Sequence, residues 1–342
     1  MAQDYTIAFW NMENLFAPEG HPDRPAWLAQ AVAADLAGWT LPLFQRKLTQ
    51  LAAVVQSMAG GAGPDLLGVC EIENVFVLEE LCAVLNAALP ARQYATVHVD
   101  AAREQRGIDT AFLYDAQRMS VDPDKIFSHF VMRRTGTRDI TQATFTLEGG
   151  AELVALSNHW PSRSGGPPSD SAGFRATAGE TLGYWHERIR EEKGADVAVI
   201  ALGDFNDDPH DLSLRMHANA TRERDDVERA QSARFYNLAW RYLTQAATDR
   251  AGAARTLYGT LYFQGDANIF DQILVSRGLL AGPGRLRVLD ETARIEAFPA
   301  MVSTSKNEGP IRFGLPKGNP AKNINQDGFA DHFPISVTVR ET

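Results

Sequence analysis

Cysteine and long apolar segments are scarce in this chain. The two cysteines among its 342 residues, Cys70 and Cys82, lie in apolar surroundings, and no further cysteine or histidine follows at a zinc-ligand spacing. We therefore expect two buried thiols rather than a disulfide or a zinc pair. No apolar run approaches the ~20 residues of a membrane-spanning helix, so the sequence predicts no membrane span.

Basic residues are also in short supply. Lysine and arginine number 33 against 43 acidic residues, which gives a formal net charge of −10. This balance argues against a protein that grips nucleic acid through a broad basic face. It does not exclude a nuclease, because bound Mg²⁺ or Ca²⁺ and a few local arginines can supply positive charge at one site.

Targeting and dividing segments are missing as well. The amino-terminal residues show no basic segment followed by an apolar core, so no signal peptide is predicted. The expectation is a soluble protein, either cytoplasmic or secreted with its signal peptide removed. No linker, repeat or coiled-coil pattern divides the chain, although its length alone would allow one large or two ordinary domains. No protein partner is indicated.

What the chain does contain is a set of apolar runs that end in polar side chains. Residues 197–202 are rich in β-branched side chains, which predicts a strand buried on both faces. Gly203 is expected to turn the backbone sharply, so that Asp204 and Asn206 emerge at the sheet edge and face one site. A carboxylate and a carboxamide there suit a divalent cation and a phosphate, although an ordinary Asx-rich turn is an equally simple interpretation.

The same pattern recurs along the chain. The polar residues that end other predicted strands, or directly precede one, are Asn11, Glu71, Asn158, His159, Asp331 and His332. Each alone is more simply a turn residue or a structural histidine. An unpaired carboxylate such as that of Glu71 is nevertheless costly to bury without a cation or a donor.

Three further residues stand in unusual places. Asp271 lies inside the apolar run 269–275 and needs a partner, for which a histidine would serve. Asp109 precedes the predicted strand 110–114 instead of capping a helix. Arg163 lies in the Ser- and Gly-rich loop 162–166, which could meet phosphate through backbone N–H groups and a guanidinium.

Periodicity supplies a coarse secondary structure. Helical spacing of apolar residues predicts amphipathic helices over 43–58, 77–88 and 175–192. The polar segment 210–250 is predicted to be a helical surface insertion. Residues 260–264 and 269–276 are predicted to pair with each other as strands.

Other hydrolytic chemistries leave no trace in the sequence. It has no serine nucleophile elbow, no Walker loop and no Cys/His zinc spacing. Strands that end in acids, amides and histidines then point to a metal-assisted hydrolase. The expected substrate is a phosphate ester, because a cation, amides and imidazoles together suit in-line displacement at phosphorus.

With these motifs in place, the sequence resembles the endonuclease/exonuclease/phosphatase superfamily. The matching segments occur in the family's order and span nearly the whole chain: FWNMENLF, LLGVCEIEN, RGIDTAFLYD, LSNHWPSRSGG, ALGDFNDDP, NIFDQILVS and FADHFPI. The resemblance implies a four-layer α/β sandwich, in which two mixed β-sheets pack face to face with helices outside. It also implies a single domain over residues 1–342.

The resemblance assigns the ligands of the site. The implied metal ligands are Asn11, Glu71 and Asp331, and the implied cofactor is Mg²⁺, with Mn²⁺ or Ca²⁺ as alternatives. The implied phosphate-binding residues are Asn206, Asn158 and Arg163. Cys70 and Ala330 stand where the family often has Gln and Ser. Neither departure removes a ligand.

The resemblance also assigns the catalytic residues. Asp204 looks like the residue that orients or deprotonates the attacking water. His332 resembles the catalytic histidine, which Asp271 would orient. His159 resembles a second histidine that polarises the phosphate or assists the leaving group, with Asp109 as the residue that would orient it.

The function implied is a divalent-metal-dependent phosphodiester hydrolase, with DNA as the first expectation for its substrate. The acidic balance leaves open a phosphomonoesterase, or a phosphodiesterase for small molecules or phospholipids, on the same site. A non-catalytic phosphate-binding module is the remaining alternative. The presence of every motif position argues against it.

Overall fold

The structure is a computed structural model that describes residues 2–101, 106–132, 136–163, 168–263 and 265–342, with the backbone alone for residues 168–170. The strands in these ranges are β1 (Gln3–Leu15), β2 (Leu66–Ile72), β3 (Tyr94–His98), β4 (Asp109–Asp115), β5 (Met119–His129), β6 (Ile140–Leu147), β7 (Glu152–His159), β8 (Val199–Asp204), β9 (Ala220–Thr221), β10 (Phe235–Asn237), β11 (Gln245–Thr248), β12 (Ala254–Leu257), β13 (Leu261–Phe263), β14 (Asp266–Asn268), β15 (Asp271–Val275), β16 (Leu286–Ile295) and β17 (Ile335–Glu341). The α-helices are α1 (Ala26–Leu36), α2 (Leu41–Ser57), α3 (Val75–Ala88), α4 (Pro168–Lys193), α5 (Arg224–Glu228) and α6 (Pro320–Asn323).

Two large mixed sheets carry the architecture. The first has the strand order β16-β17-β1-β2-β4-β3, and the second has the order β5-β6-β7-β8-β15-β10-β9. In the first sheet, β1 is parallel to β2 and antiparallel to β17. In the second, β8 is parallel to β7 and antiparallel to β15, and all six of its residues are buried. An apolar run without alternation is typical of such a doubly covered strand.

The two sheets pack face to face, with β1 and β2 of the first sheet against β7, β8 and β15 of the second. Gly68 on β2 makes this approach possible, since a Cβ there would lie 2.0 Å from Leu202 Cδ1 on β8. Close packing of this kind fixes how one sheet lies on the other.

Helices cover the outer faces of both sheets. Helices α2 and α3 bury their apolar sides on the first sheet. On the second sheet, Leu182 and Ile189 of α4 pack with Val154 and Leu156 of β7. The predicted four-layer α/β sandwich is therefore confirmed. None of the described helices combines the length and apolarity needed to cross a bilayer.

The predicted helices at 43–58, 77–88 and 175–192 are present as α2, α3 and α4, and both cysteines are buried free thiols. The helical prediction for 210–250 is wrong. This segment holds one π-helical turn at Ser213–His217, the five-residue α5, a 3-10 turn at Leu238–Arg241 and three short strands, of which β9 and β10 extend the second sheet. Asn219, at a φ of 52°, follows the turn in a left-handed conformation, and pairing with a sheet edge overrides weak helix propensity.

Two local predictions need correction. Strand β13 pairs with β14, whereas β15 pairs with β8 and β10, so the two predicted strands do not pair with each other. Gln264, in the first of them, lies outside the described residues. Gly203 does not turn the chain, because it lies within β8. A Cβ there would lie 2.4 Å from the carbonyl oxygen of Asn158, so glycine is needed for close strand approach.

Candidate active site

Three neighbouring strands of the second sheet bring polar side chains to one level. His159 on β7 lies opposite Asp204 on β8, and Asp204 lies opposite Asp271 on β15. The distance from His159 Nε2 to Asp204 Oδ2 is 3.7 Å. All three side chains are buried. Strand register alone therefore assembles a histidine and two carboxylates from distant parts of the sequence.

His332 completes this group from the segment before β17. Its Nδ1 lies 2.8 Å from Oδ2 of the fully buried Asp271, and its Nε2 lies 3.8 Å from Asp204 Oδ2. Trp10 Nε1 donates a hydrogen bond of 2.8 Å to the carbonyl of His332. The ring is thus held on one nitrogen and by its backbone, while the other nitrogen faces Asp204.

The two histidines have opposite electrostatic environments. Burial alone would lower the pKa of His332, but the carboxylates of Asp271 and Asp204 outweigh burial and hold that pKa well above its usual value. Burial, together with the nearby charges of Arg138 and Arg106, holds the pKa of His159 well below its usual value. One ring is therefore stabilised as a cation and the other as a neutral imidazole. Two imidazoles whose pKa values are shifted in opposite directions suit different proton-transfer roles.

Asp204 is the carboxylate that both imidazoles face. Its Oδ1 accepts a hydrogen bond of 2.9 Å from the backbone N–H of Asn206, and its Oδ2 accepts one of 3.1 Å from Asn11 Nδ2. Burial raises the pKa of Asp204 to about 6. Such a carboxyl group can accept a proton near neutral pH.

The first sheet contributes Asn11 on β1 and Glu71 on β2. Besides donating to Asp204, Asn11 accepts a hydrogen bond of 2.9 Å at Oδ1 from the N–H of Glu13. Glu71 accepts one of 2.7 Å at Oε2 from the N–H of Asn14, and its Oε1 lies 3.8 Å from His159 Nε2. The site is therefore formed between the two sheets.

Both strands are irregular where they supply these groups. The β1–β2 register shifts between Asn11 and Leu15, and the β2–β4 register shifts between Cys70 and Ile72. The four site residues with a left-handed backbone are Glu13, Asn14, Glu71 and Asn206, with φ values of 49°, 53°, 62° and 50°. Bulges re-aim side chains at strand ends, and unfavourable backbone conformations concentrate at functional sites.

A buried charge network lies under the predicted metal ligands. Glu13 is fully buried and accepts hydrogen bonds from Arg312 Nε at 2.7 Å and from the N–H groups of Phe313 and Gly314 at 3.0 and 3.2 Å. Lys47 of α2 is fully buried as well and donates to the carbonyl of Glu13. Burial raises the pKa of Glu13 and lowers that of Lys47.

Asp331 belongs to the same electrostatic group. Burial raises its pKa, the neighbouring charge of His332 lowers it, and that of Glu71 raises it. The charges of Arg312 and Lys47 oppose the increase. Two carboxylates whose charges act on each other in a partly buried place require positive charge, which Arg312 and Lys47 supply in part and a cation would complete.

Lys47 was missed at the sequence level, although a signal exists. Phe44, Lys47, Leu48 and Leu51 recur at the spacing of one buried helix face. A lysine on such a face requires a specific partner. The buried arginine Arg138, which donates to the carbonyl of Trp160 at 2.7 Å, was missed too and has no comparable pattern.

The predicted phosphate-binding residues lie in different surroundings. Asn206 donates through Nδ2 to the carbonyl of Trp160 at 3.0 Å, next to the site. Asn158 is fully buried, with its amide donating to Leu156 O at 3.0 Å and its Oδ1 accepting from Trp160 Nε1 at 3.1 Å. Its side chain thus bonds to neighbouring strands and Trp160 and does not reach the group around Asp204.

Arg163 is enclosed by acids. Its guanidinium lies 2.9 Å from Asp207 Oδ1 and 2.6 Å from Asp211 Oδ2, and its Nε donates at 2.9 Å to the carbonyl of Asn206. In this arrangement it holds the backbone of Asn206 in place. Residues 164–166, the rest of the predicted phosphate-binding loop, lie outside the described residues.

Asp109 does not orient His159, in contrast to the expectation. Its Oδ2 lies 3.3 Å from His98 Nε2, and its Oδ1 accepts from the N–H of Ala101 at 3.2 Å. Within the described part of the chain, Nδ1 of His159 is buried without a hydrogen-bond partner. The physical reason is that both carboxylate oxygens of Asp109 are engaged on its own sheet, by His98 of the neighbouring β3 and by the N–H of Ala101.

Comparison with known families identifies the architecture. A model described as the Endonuclease/Exonuclease/phosphatase family matches residues 6–341. The chain belongs to this family. Members of the endonuclease/exonuclease/phosphatase family are phosphoester hydrolases and generally depend on divalent metal. No curated protein sequence matches the chain.

Solved structures of the endonuclease/exonuclease/phosphatase fold resemble this one over the full length. A family member from Bacteroides thetaiotaomicron has 14% identity and a TM-score of 0.54, covering 100% of this chain and 99% of that one. A mannosyl-6-phosphatase of the same organism has 16% identity and a TM-score of 0.54, with 98% and 99% covered. The human Nocturnin catalytic domain, with a bound sulfate, has 16% identity and a TM-score of 0.53, with 99% and 95% covered. At these identities the likeness shows the fold.

The donors present fit the hard divalent cation that this family generally uses. Glu71, Asp331 and Asn11 offer carboxylate and amide oxygens, which suit Mg²⁺, Mn²⁺ or Ca²⁺. The Cys70 sulfur also lies within 4.8 Å of ligand atoms of His159 and Asp204. Burial raises the pKa of this thiol well above its usual value, so it stays protonated and is a poor ligand.

Proposed function

We propose that this chain is a divalent-metal-dependent phosphodiester hydrolase with DNA as its substrate. One observation carries the proposal. An imidazole at the end of β7 and one from the segment before β17 face one buried carboxylate, with Nε2 of His159 at 3.7 Å and Nε2 of His332 at 3.8 Å from Asp204 Oδ2, while Glu71 lies 3.8 Å from His159. At these spacings a water or a phosphate oxygen that lies beside the groups can be within hydrogen-bond reach of two of them at once.

The cation would be held by Glu71, Asp331 and Asn11. When bound, it supplies positive charge that polarises the phosphorus centre and offsets negative charge in the transition state. Asn11 is buried and the two carboxylates are partly buried, so a cation at this place would offset negative charge that water screens only in part.

The protein's own residues perform the remaining steps. Asp204, fixed by the N–H of Asn206 and by Asn11 Nδ2, orients the attacking water and accepts its proton. His332, held through Nδ1 by Asp271, donates from Nε2 to a phosphate oxygen. As the water adds to phosphorus, the bond to the leaving oxygen breaks. His159 donates a hydrogen bond from Nε2 to that oxygen, which takes up a proton from solvent, and the amide of Asn206 has one N–H left to donate to the phosphate. Water attacks directly, so no covalent enzyme intermediate forms.

A phosphoester panel with and without EDTA tests this proposal. With Mg²⁺ or Mn²⁺ we expect acid-soluble nucleotides from plasmid DNA, and none when EDTA is present. Glu71→Gln and His332→Ala should each lower the rate at least 100-fold. Glu152→Gln, which removes a surface partner of two lysines, is the matched control and should retain full activity. Unchanged rates in both site variants would show that the site is assigned wrongly.

Hydrolysis of a phosphomonoester is the second candidate, and the net charge of −10 favours it. An acidic surface repels a polyanionic duplex more strongly than a small ester. Release of free phosphate from inositol phosphates, with DNA left intact, would assign this activity. If no ester in the panel is hydrolysed, the chain is a phosphate-binding module instead.

A further inference from the structure

A cavity of about 340 Å³ opens at the edge of the first sheet. Its walls come from three segments. These are residues 21–28 before and within α1, residues 73–76 after β2, and residues 100–101 and 107–109 before and at the start of β4. A volume above 300 Å³ is typical of cavities that bind small organic groups. No step of the proposed reaction uses this cavity.

The cavity adjoins the predicted metal ligands. Glu73, on its wall, follows Glu71 by two residues, and Asp109, also on its wall, lies opposite Ile72 on the neighbouring strand. Adjacent strands are about 5 Å apart, so the cavity begins about one strand from Glu71. A substrate whose phosphate lies at Glu71 can therefore place its organic part in the cavity.

Flat apolar surface dominates the walls. Trp27 is 53% exposed and Val75 46% exposed, and both line the cavity. The ring of Phe76 packs against His21 in a tilted arrangement, with centroids 4.4 Å apart, and stacks on Phe44 at 5.9 Å. This support holds the aromatic wall rigid. A large exposed indole beside it is suited to stack on another planar ring.

The polar groups on the walls are mostly acceptors. Glu73 is neutralised by Arg24, and Asp109 lies against His98. Among the described residues, Asp23 has no ion-pair partner, and the nearest cation-forming group to Asp100 is His98 at 3.9 Å. In addition, Nδ1 of His21 is buried without a hydrogen-bond partner. A ring that carries N–H donors therefore complements this cavity, whereas an anionic group does not.

We propose that this cavity is a base-binding subsite for the nucleotide next to the scissile phosphate. Trp27 stacks on the base, and Asp23 and Asp100 accept hydrogen bonds from an exocyclic amino group, so adenine and cytosine are preferred over thymine. The proposal rests on the proposed function, because it places the phosphate of the same molecule at Glu71.

Octamers with and without bases test the subsite. The substrates are single-stranded octamers of deoxyadenosine, deoxycytidine or thymidine, and an octamer of abasic tetrahydrofuran phosphates. We expect Trp27→Ala to lower kcat/KM about tenfold on the deoxyadenosine and deoxycytidine octamers and to leave the abasic octamer unchanged. Tyr184→Ala, which removes a ring of similar exposure on α4, is the control and should change none of them. Equal effects of Trp27→Ala on base-bearing and abasic octamers would overturn the subsite.

The carboxylates have their own test. The double variant Asp23→Asn and Asp100→Asn should reduce the preference for deoxyadenosine over thymidine octamers several-fold, with the abasic rate unchanged. A wild-type enzyme that cleaves thymidine octamers as efficiently as the others overturns the amino-group preference.

A binding measurement separates this proposal from the proposed function. Adenosine 5′-monophosphate is titrated in EDTA by equilibrium dialysis against wild type, Trp27→Ala and Tyr184→Ala. We expect about tenfold weaker binding by Trp27→Ala alone. If no octamer is hydrolysed, the proposed function fails and this titration decides the subsite. Equal binding by all three proteins would overturn it.

Discussion

At the scale of single residues, the contact of Asp271 with His332 fixes both the orientation and the charge of the imidazole ring. Replacing Asp271 by Asn keeps the size of the side chain but removes the carboxylate 2.8 Å from His332 Nδ1. We predict a loss of kcat of about 100-fold with KM nearly unchanged, because the ring loses the partner that fixes its orientation and protonation. Steady-state kinetics on a DNA substrate measure both constants.

Asp249→Asn supplies a matched control, since Asp249 is also buried but only caps a turn through the N–H groups of Ala251 and Ala253. It should leave kcat unchanged. If Asp271→Asn keeps wild-type turnover while His332→Ala does not, the orienting role of Asp271 is refuted.

Another residue, His186 on α4, governs acid stability at a distance from the site. It is buried against Phe235, with ring centroids 3.8 Å apart, and burial lowers its pKa to about 3. Since the unfolded chain binds the proton with a pKa near 6.5, stability is complete above that pH and falls as the pH decreases toward 3. Between pH 7 and pH 5, we predict that this group lowers the free energy of unfolding by about 2 kcal/mol.

His186→Phe preserves the stacked ring and removes the titration. Urea unfolding at pH 7 and pH 5 should show a smaller acid loss in this variant, by about 2 kcal/mol. His210→Gln, at an exposed position, should keep the wild-type difference. An equal acid loss in wild type and His186→Phe would contradict the prediction.

At the scale of elements, Glu13 anchors a loop to the bulge of β1. Its carboxylate accepts three hydrogen bonds from residues 312–314, which precede Asp331 in the chain. We predict that Glu13→Gln lowers the free energy of unfolding by about 2 kcal/mol, because buried donors lose a charged acceptor. Asp4→Asn breaks an exposed pair with Arg340 and should cost less than about 1 kcal/mol. Similar losses in the two variants, measured by urea unfolding, would argue against an anchoring role.

The elements also show how far the sequence can be interpreted. Apolar runs that end in Asp204, His159 or Glu71 are visible because a strand buried on both faces leaves a continuous hydrophobic segment with polar residues only at its ends. Asp271 is visible for the converse reason, as a charge inside such a run. The resemblance to a family then supplied the roles, which the strand pattern alone could not.

The features that cannot be predicted from the sequence depend on which strands and side chains meet in the fold. The bulges that give Glu71 and Glu13 their left-handed backbone exist only because β1, β2 and β4 pair out of register there. Strand β15 likewise pairs with the distant β8, whereas β13 pairs with β14, which follows it directly in the chain. Arg163 is predicted to bind phosphate because no local pattern shows that it meets Asp207 and Asp211, some 44 to 48 residues further along the chain. Local patterns identify the strand ends, whereas tertiary contacts decide what each side chain meets.

At the scale of the whole molecule, cation binding should be coupled to global stability. The negative charges of Glu71 and Asp331 act on each other in the folded chain, so a bound cation relieves their repulsion in that state only. We predict that Mg²⁺ at about 100 times its Kd stabilises the wild-type protein by about 3 kcal/mol. Thermal unfolding with Mg²⁺ and with EDTA measures the shift.

Asp331→Asn should abolish most of this shift, and Asp226→Asn, on the exposed face of α5, should not. If Asp331→Asn shows the same Mg²⁺-dependent Tm as the wild type, the cation binds elsewhere. The acidic surface makes this control necessary, since a net charge of −10 attracts cations without a specific site.

The close packing of Leu202 on Gly68 has a consequence for the catalytic site. Leu202 occupies the space of the missing side chain, two residues before Asp204, and Gly68 itself comes three residues before Glu71. Each sheet carries part of the reacting groups, and this contact is one of those that join the two sheets beneath them. A methyl group at residue 68 would press on the end of Leu202 and change this packing without altering any reacting side chain. The size of the side chains in a hydrophobic contact between the sheets thereby influences the spacing of the reacting groups.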